Sequence, residues 1–194
     1  MDFSKQELQE LARAWLLLSV AFAILFTGFS LDTKFVIAVL IAGFTAGIGF
    51  LLHELSHKYV AQKYGCKAEF HVFDKMLWLA VLLSFFGFIF AAPGAVFIKG
   101  RINAKKNGLI SLAGPLTNII IGLFLFLLIL FTSKIVLLKT IFSMGARINF
   151  WLALFNMLPF MGLDGAKVLA WNKKIYAIVL IACFLLVFAA GSLF

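Results

Sequence analysis

The stretch His-Glu-Leu-Ser-His at residues 53–57 decides how this chain is organised. It lies near the end of an apolar segment, Phe35 to Ala61, where ionisable side chains are not expected. In an α-helix, residues four apart lie on one face about 6 Å from each other, so His53 and His57 can face one metal ion. Glu54 has the position that an HExxH pattern requires of a general base acting on metal-activated water.

The alternative is a chance HExxH match on an ordinary helix, which is common in soluble proteins. An apolar surrounding argues against chance, because an unpaired ionisable group in hydrocarbon is costly and usually functional. The motif therefore predicts a metal site within a membrane segment.

The composition is that of a membrane protein. The chain has 194 residues, 64% of them hydrophobic, a mean hydropathy of +1.10 and 24 phenylalanines. A soluble domain of this length cannot bury so much apolar surface, so we predict an all-α, multi-pass fold. The charged start, MDFSKQELQELARAW, lacks the pattern of a cleavable signal. No remaining stretch is large enough for a second domain, and residues 1–194 are expected to form one integral-membrane domain.

Five apolar segments are read as helices, and a sixth, Met76–Ala92, is marginal in length for a span. Residues 1–14 are expected to lie on the membrane surface, with Trp15 as an interfacial anchor. The five segments are Trp15–Leu31, Phe35–Ala61, Leu109–Phe131, Thr140–Phe160 and Ile175–Phe194.

A small β element is expected at the membrane interface. Residues Val96–Ile98 and Arg101–Asn103 flank a Lys-Gly turn and predict a hairpin, which can also pair with the strand-like Glu69–Phe73. Its free edge, Val96, Phe97 and Ile98, is a candidate docking strand for an unwound substrate; the alternative is that it only caps the bundle. Met76–Ala92 is expected to be re-entrant or surface-lying, with both ends on the side of the metal site.

A catalytic zinc site with two histidines needs a third protein ligand. Asp164 is the favoured candidate, because Pro159 and Gly162 break the preceding helix and let a carboxylate turn inward. Its alternative role is an ion pair with Lys167, three residues on. The polar loop offers three other candidates, which require that loop to fold back over the site: Glu69, His71 and Asp74.

Two later motifs accompany the histidine motif. Asn156-x-x-Pro159-x-x-x-x-Asp164-Gly165 follows in a later apolar helix, and Ala-Gly-Pro-Leu-Thr-Asn at residues 113–118 lies between the two. This order of motifs, from Phe35 to Trp171, resembles the site-2 proteases, the intramembrane zinc metalloproteases. Ala166 stands where many members have a second glycine, and no peptide-binding domain is appended.

The resemblance implies one Zn²⁺ per chain on His53, His57 and Asp164, with Glu54 as general base. It also implies that Asn156 helps to hold the substrate or the developing oxyanion, and that Asn118 supports the site. The asparagines have a simpler alternative role, since they can cross-link helices by hydrogen bonds. Three other residues have alternative readings: Gly114 and Pro115 can shape a helix start, and Arg147 can mark a helix end.

The predicted function is an intramembrane zinc endopeptidase that cleaves peptide bonds within or near transmembrane segments of membrane proteins. The expected partners are such a substrate and the lipid bilayer. The net charge of +9 is spread along the chain, which does not suggest a nucleic-acid partner. Its distribution predicts a cell-membrane protein with the metal site nearer the cytoplasmic face. The rival predictions are a metal- or proton-coupled transporter that uses the His/Asp cluster, and a silent membrane scaffold.

Overall fold

The computed structural model describes residues 1–89, 93–132, 135–160 and 162–191. The predicted helical fold with a small sheet is confirmed in these residues. The helices are α1 (Lys5–Thr27), α2 (Thr33–Ala42), α3 (Ile48–Lys63), α4 (Asp74–Ser84), α5 (Ala104–Phe131), α6 (Val136–Asn156), α7 (Asp164–Trp171) and α8 (Lys173–Gly191), and the strands are β1 (Lys67–Val72) and β2 (Gly94–Lys99). Four helical stretches are long and apolar enough to cross a membrane: α1, the continuous α2–α3, α5 and α8.

Helix α1 starts at Lys5, ten residues before the predicted span, so most of the predicted lead-in over residues 1–14 belongs to the same continuous helix; its position on the membrane surface stays a prediction. Ser4 caps α1 by accepting a hydrogen bond from the Glu7 amide at 3.0 Å. The helix continues because the Glu7 carboxylate is buried and forms an ion pair with Lys58, rather than facing water. The interfacial role of Trp15 also stays a prediction; its indole nitrogen donates to the Gly43 carbonyl at 3.0 Å within the bundle.

The predicted Phe35–Ala61 helix is confirmed as the rod α2–α3, interrupted by a π-helical turn at Gly43–Gly47. The Trp15 ring lies directly against this turn. A Cβ atom at Gly43 would lie 2.8 Å from the ring, and one at Gly47 would lie 2.7 Å from it. The two glycines therefore let α1 approach the rod closely at a point where the backbone already departs from α-helical geometry.

The two strands pair antiparallel, with Lys67 opposite Lys99 and Val72 opposite Gly94. The predicted pairing of the two strand-like segments is confirmed, but the hairpin with Arg101–Asn103 is wrong. Asn103 instead caps α5, accepting from the Lys106 amide at 2.9 Å, so the chain passes directly from the strand into a helix.

The helix between the two strands is too short to cross a membrane. Helix α4 has 11 residues, which give about 16 Å at 1.5 Å per residue, half of a hydrocarbon core. Val72 and Gly94, which flank the predicted segment Met76–Ala92, are paired across the sheet and therefore lie close together. Residues 90–92 of that segment are outside the described residues.

Two predictions about α5 and α6 are wrong. Helix α5 begins at Ala104, so Gly114 and Pro115 lie in its interior and do not shape a helix start. Helix α6 runs from Val136 to Asn156, so Arg147 lies near its middle and not at an end. The last predicted span corresponds to α8, and residues 192–194 are outside the described residues.

Candidate metal centre

Three side-chain atoms converge in the interior of the bundle. The Nε2 atoms of His53 and His57, both on α3, are 3.0 Å apart. The Oδ2 atom of Asp164, the first residue of α7, lies 3.3 Å from the first nitrogen and 3.1 Å from the second. All three residues are buried. The fold thus brings together, across more than a hundred residues of sequence, the three ligands that were predicted.

Hydrogen bonds on the far side of each ring determine which nitrogen carries a proton. His53 Nδ1 lies 2.6 Å from Asn118 Oδ1, and His57 Nδ1 lies 2.8 Å from the Ile110 carbonyl oxygen. Both partners accept only, so each neutral ring donates from Nδ1 and turns the lone pair of Nε2 inward. Two lone pairs and a carboxylate oxygen then face one point. Such a cluster of acceptors is repulsive unless a cation lies among them.

The donor set fits zinc. Bonds of about 2.0–2.1 Å in a tetrahedral arrangement place neighbouring ligand atoms about 3.3–3.4 Å apart. The three separations in the protein, 3.0, 3.1 and 3.3 Å, are close to that value. Two imidazoles and one carboxylate, with a position left for water, form the type of ligand set found in catalytic zinc sites.

Asn118 is held in turn by a second asparagine that the sequence analysis did not select. Its Nδ2 donates to Asn149 Oδ1 at 2.9 Å and to the Gly49 carbonyl at 3.1 Å. Asn149 Nδ2 donates to the Gly145 carbonyl at 2.9 Å, and both asparagines are fully buried. Asn118 therefore contacts a metal-site histidine and also cross-links α3, α5 and α6. The sequence feature that could have identified Asn149 is its side-chain amide within the apolar part of α6.

Gly114 leaves room for the two rings. A Cβ atom at this position would lie 2.5 Å from the Nε2 atoms of both His53 and His57. Pro115 follows directly and has no amide hydrogen, so the hydrogen-bond ladder of α5 is interrupted beside the site. The helix can thus pass close to the imidazole edges at the point where they converge.

Asp164 reaches the histidines because α7 starts tightly against the end of α6. Gly165 makes this possible, since a Cβ atom there would collide with the Met157 carbonyl. The other carboxylate oxygen, Oδ1, lies 3.9 Å from Lys167 Nζ. The predicted ligand geometry and the alternative ion pair therefore occur together, on different oxygens of one carboxylate.

The other candidate ligands do not approach the cluster. The Glu69 carboxylate accepts a hydrogen bond from Ser4 at 2.5 Å, and Asp74 lies 3.2 Å from Arg13. His71 lies 3.4 Å from Glu10 on the outer part of α1. The polar loop does not fold back over the metal site, because its strand is bound to the N-terminal helix.

Glu54 lies beside the histidines and is 8% exposed. The backbone amide of Val96 on β2 faces its carboxylate. Phe97 and Ile98 continue the same strand. The predicted general base and the predicted docking strand are thus neighbours.

Asn156, in contrast, donates to the Leu152 carbonyl within its own helix at 2.9 Å, and no contact joins it to the cluster among the described residues.

A buried ion pair on the far side of α3 was also missed. Lys58, the residue after His57, is 1% exposed and pairs with Glu7. The second oxygen of Glu7 accepts from the Phe70 amide at 2.9 Å. The pair joins α1, α3 and β1. The Lys58 charge can be buried because the carboxylate of Glu7, 51 residues away in sequence, pairs with it.

Fold and site together define a class: a helical membrane protein with a buried His–His–Asp centre suited to zinc and a glutamate beside it. Comparison with known proteins agrees. The chain is 41% identical over 179 residues to "Putative zinc metalloprotease MJ0611" of Methanocaldococcus jannaschii, covering 91% of this chain and 90% of that protein. It is 30% identical over 122 residues to "Zinc metalloprotease MJ0392" of the same organism, covering 63% of this chain and 31% of that protein. It is 32% identical over 143 residues to "Putative zinc metalloprotease YwhC" of Bacillus subtilis, covering 63% of this chain and 64% of that protein.

The chain belongs to the family of small membrane zinc metalloproteases. The relatives imply Zn²⁺ as its metal, and the His53, His57 and Asp164 cluster can hold one ion. They give no support to the transporter alternative. No family model and no solved structure matches the chain.

Proposed function

We propose that this chain is an intramembrane zinc endopeptidase of the site-2 protease type, acting on membrane proteins within or near their transmembrane segments. The observation that carries the proposal is the buried His53–His57–Asp164 cluster with Glu54 beside it; the two histidines and Glu54 lie on α2–α3, which is apolar and long enough for a bilayer. A peptidase centre at that position can reach only substrates that enter the bilayer or lie at its surface.

The roles of the protein groups follow from the geometry. Asn118 and Ile110 hold the two imidazoles in the tautomer that presents Nε2 to the metal. Zinc, when bound, lowers the pKa of water and polarises a carbonyl as a Lewis acid. Glu54 takes the proton from the attacking water and returns it to the leaving amine.

The sheet supports a role in substrate binding. On β1 the outward amides of Phe70 and Val72 are bound by the carboxylates of Glu7 and Glu10, each at 2.9 Å. Since hydrogen-bonded positions alternate in an antiparallel pair, the opposite partners, Val96 and Gly94, turn their backbone groups to the outer edge of β2. That edge passes beside Glu54. An unwound substrate segment added there would satisfy its own backbone groups and bring a carbonyl to the centre.

The proposed orientation places the metal site nearer the cytoplasmic face of the cell membrane. The C-terminal end of α3, the turn after β2 and the first turn of α5 all lie toward that side. They carry many of the positive charges, as the positive-inside rule requires: Lys63, Lys67, Lys99, Arg101, Lys105 and Lys106.

The test is reconstitution of the purified chain in liposomes with a tagged single-span membrane protein whose span contains helix-breaking residues. We expect one zinc per chain and cleavage within the span by the wild-type protein. Glu54→Gln should keep the zinc and abolish cleavage. Zinc uptake without cleavage would instead indicate the transporter, and cleavage by Glu54→Gln would contradict the assigned base.

The docking role of β2 has its own test. Proline at Phe97 should leave zinc content unchanged, and it should lower cleavage by stiffening the strand beside the edge and disturbing its pairing with β1. Proline at Arg101, outside both strands, is the matched control. Equal turnover of both variants would remove the strand-docking role and leave the zinc chemistry intact.

A further inference from the structure

A large apolar groove runs between α1 and α6, with the rod α2–α3 as its floor. Its volume is about 1020 Å³. Aliphatic and aromatic side chains form most of its walls, among them Leu18, Phe22, Phe26, Phe50, Trp151 and Phe155. Such a groove suits a segment of apolar chain.

Two charged residues line the groove: Lys139, near the start of α6, and Arg147, at the centre of the lining. Arg147 is exposed to the groove and lies about 16 Å from the start of α6 and about 14 Å from its end, at 1.5 Å per residue. Helix α6 is not among the four span-length apolar stretches, but it packs on α5 and α8, which are; a bilayer crossed by those two helices would have Arg147 near its middle. Within residues 1–89, 93–132, 135–160 and 162–191, no side chain or backbone group forms an ion pair or hydrogen bond with the Arg147 guanidinium.

A cation in this position needs a partner. Ionisable residues inside a membrane are costly, and they mark the paths and contacts on which function depends. An arginine side chain is shorter than the distance to either end of α6, so Arg147 cannot reach the headgroups by snorkelling. For the same reason a lipid phosphate, which stays at the bilayer surface, cannot approach it. The depth of Arg147 favours a carboxylate carried on a transmembrane segment.

The groove also leads toward the catalytic centre. Phe50, in its floor, precedes Glu54 by one helical turn on α3. Phe155, at the same end, lies on the last turn of α6 before the bend that carries Asp164. A segment that lies along the groove past Arg147 therefore arrives beside Glu54 and the outer edge of β2.

The depths of Arg147 and Glu54 in the bundle can be compared through the hydrogen-bonded pair Asn118 and Asn149. Asn149, two residues after Arg147, is connected through Asn118 to the level of Gly49 on α3. Glu54 lies five residues beyond Gly49, so Arg147 is about 10 Å deeper than Glu54 at 1.5 Å per residue. This distance corresponds to about seven residues of a helical substrate, or to about three of an extended one.

We propose that the groove receives the transmembrane segment of the substrate and that Arg147 pairs with an aspartate or glutamate within that segment, about three to seven residues from the cleaved bond. Arg147 is then a specificity-determining residue, which selects substrates with a buried acid in their span. The proposal rests on the proposed protease function, and it also predicts binding in the absence of cleavage.

The experiment compares two single-span peptides that differ only by glutamate or glutamine at the matching position. Their affinities are measured by fluorescence in liposomes of neutral lipid, using zinc-loaded Glu54→Gln protein, which cannot cleave. We expect the glutamate peptide to bind at least about tenfold more tightly, because the glutamine peptide leaves Arg147 without a charged partner. Arg147→Gln in the same background should reduce this ratio to about one. Arg101→Gln, at an exposed position outside the groove, should leave it unchanged.

A reversed pair gives a second readout that a merely structural role of Arg147 would not produce. Arg147→Glu should prefer a peptide with lysine at the same position over the glutamate peptide. An unchanged glutamate preference in Arg147→Gln would overturn the proposal. So would a dependence of Arg147 on anionic lipid with no preference between the peptides, because the occupant would then be a lipid.

The cleavage assay separates the two proposals. If the active protein cleaves both peptides with equal kcat/KM and binds them equally, the acid-pairing role fails while the protease stands. If the glutamate preference in binding is present and neither peptide is cleaved by the zinc-loaded protein, the protease function fails while the pairing stands.

Discussion

Replacing Gly114 by alanine should remove zinc from the centre. The added Cβ atom would lie 2.5 Å from the Nε2 atoms of both His53 and His57, whereas ordinary contact starts at 3.4 Å. Something must therefore move by up to about 0.9 Å. The tolerance of metal–ligand distances is about 0.2 Å, several times smaller.

Neither ring can retreat without losing its hydrogen bond. His53 is held by Asn118 and His57 by the Ile110 carbonyl, and both partners lie on α5, the same helix as Gly114. If α5 moves away from the rings, both hydrogen bonds lengthen together. Loss of one such orienting partner lowers metal affinity about 10–100-fold, so we expect Gly114→Ala to lower it by at least that factor.

The assay is competition for zinc against a chelator of known affinity, with thermal unfolding of the same samples in detergent. Gly43→Ala is the matched control, because its Cβ atom would lie 2.8 Å from the Trp15 ring, far from the centre. It should lower the unfolding temperature and keep the zinc affinity. Wild-type zinc affinity in a folded Gly114→Ala protein would refute the arrangement of the centre described above.

Three further predictions concern the ligand Asp164, the supporting residue Asn118 and the buried ion pair of Glu7 and Lys58. Asp164→Asn should weaken zinc binding strongly, because a neutral amide is a poor ligand, while Lys167→Ala should change it little; equal losses in a metal titration would favour the ion pair as the role of Asp164. Asn118→Leu should lower zinc affinity about 10–100-fold by releasing His53 Nδ1, and Asn156→Leu should not, since the Asn156 amide donates to the Leu152 carbonyl of its own helix. Glu7→Gln should destabilise the fold by about 3–5 kcal/mol in thermal unfolding, because it leaves the buried Lys58 charge uncompensated. Adding Lys58→Met should restore much of that loss, and a double variant as unstable as the single one would show that the charges are not the cause.

The helical nature of the chain and the chemistry of its centre could be predicted from local information. Apolar runs long enough for a membrane define helices whatever the rest of the chain does, because in hydrocarbon each backbone group must be bonded within its own segment. The four-residue spacing of His53 and His57 is likewise a property of one helix. Asp164 could be predicted as the third ligand because an aspartate beside a helix-breaking proline and glycine has few other roles in an apolar protein.

The tertiary structure decided most contacts between residues that are distant in sequence. Helix α1 starts at Lys5 with Ser4 as a local cap, but the burial of the Glu7 carboxylate depends on Lys58 and on the Phe70 amide of β1. No local pattern predicts those two partners. Strand β2 pairs with β1 and not with Arg101–Asn103. The local sequence of a six-residue strand does not determine which of two neighbouring segments it pairs with. Asn149 supports the metal site only because Asn118 lies opposite it. Sequence periodicity indicates which face of a segment is apolar. The geometry of a site depends on which segments pack against each other, and this packing is determined by the whole chain.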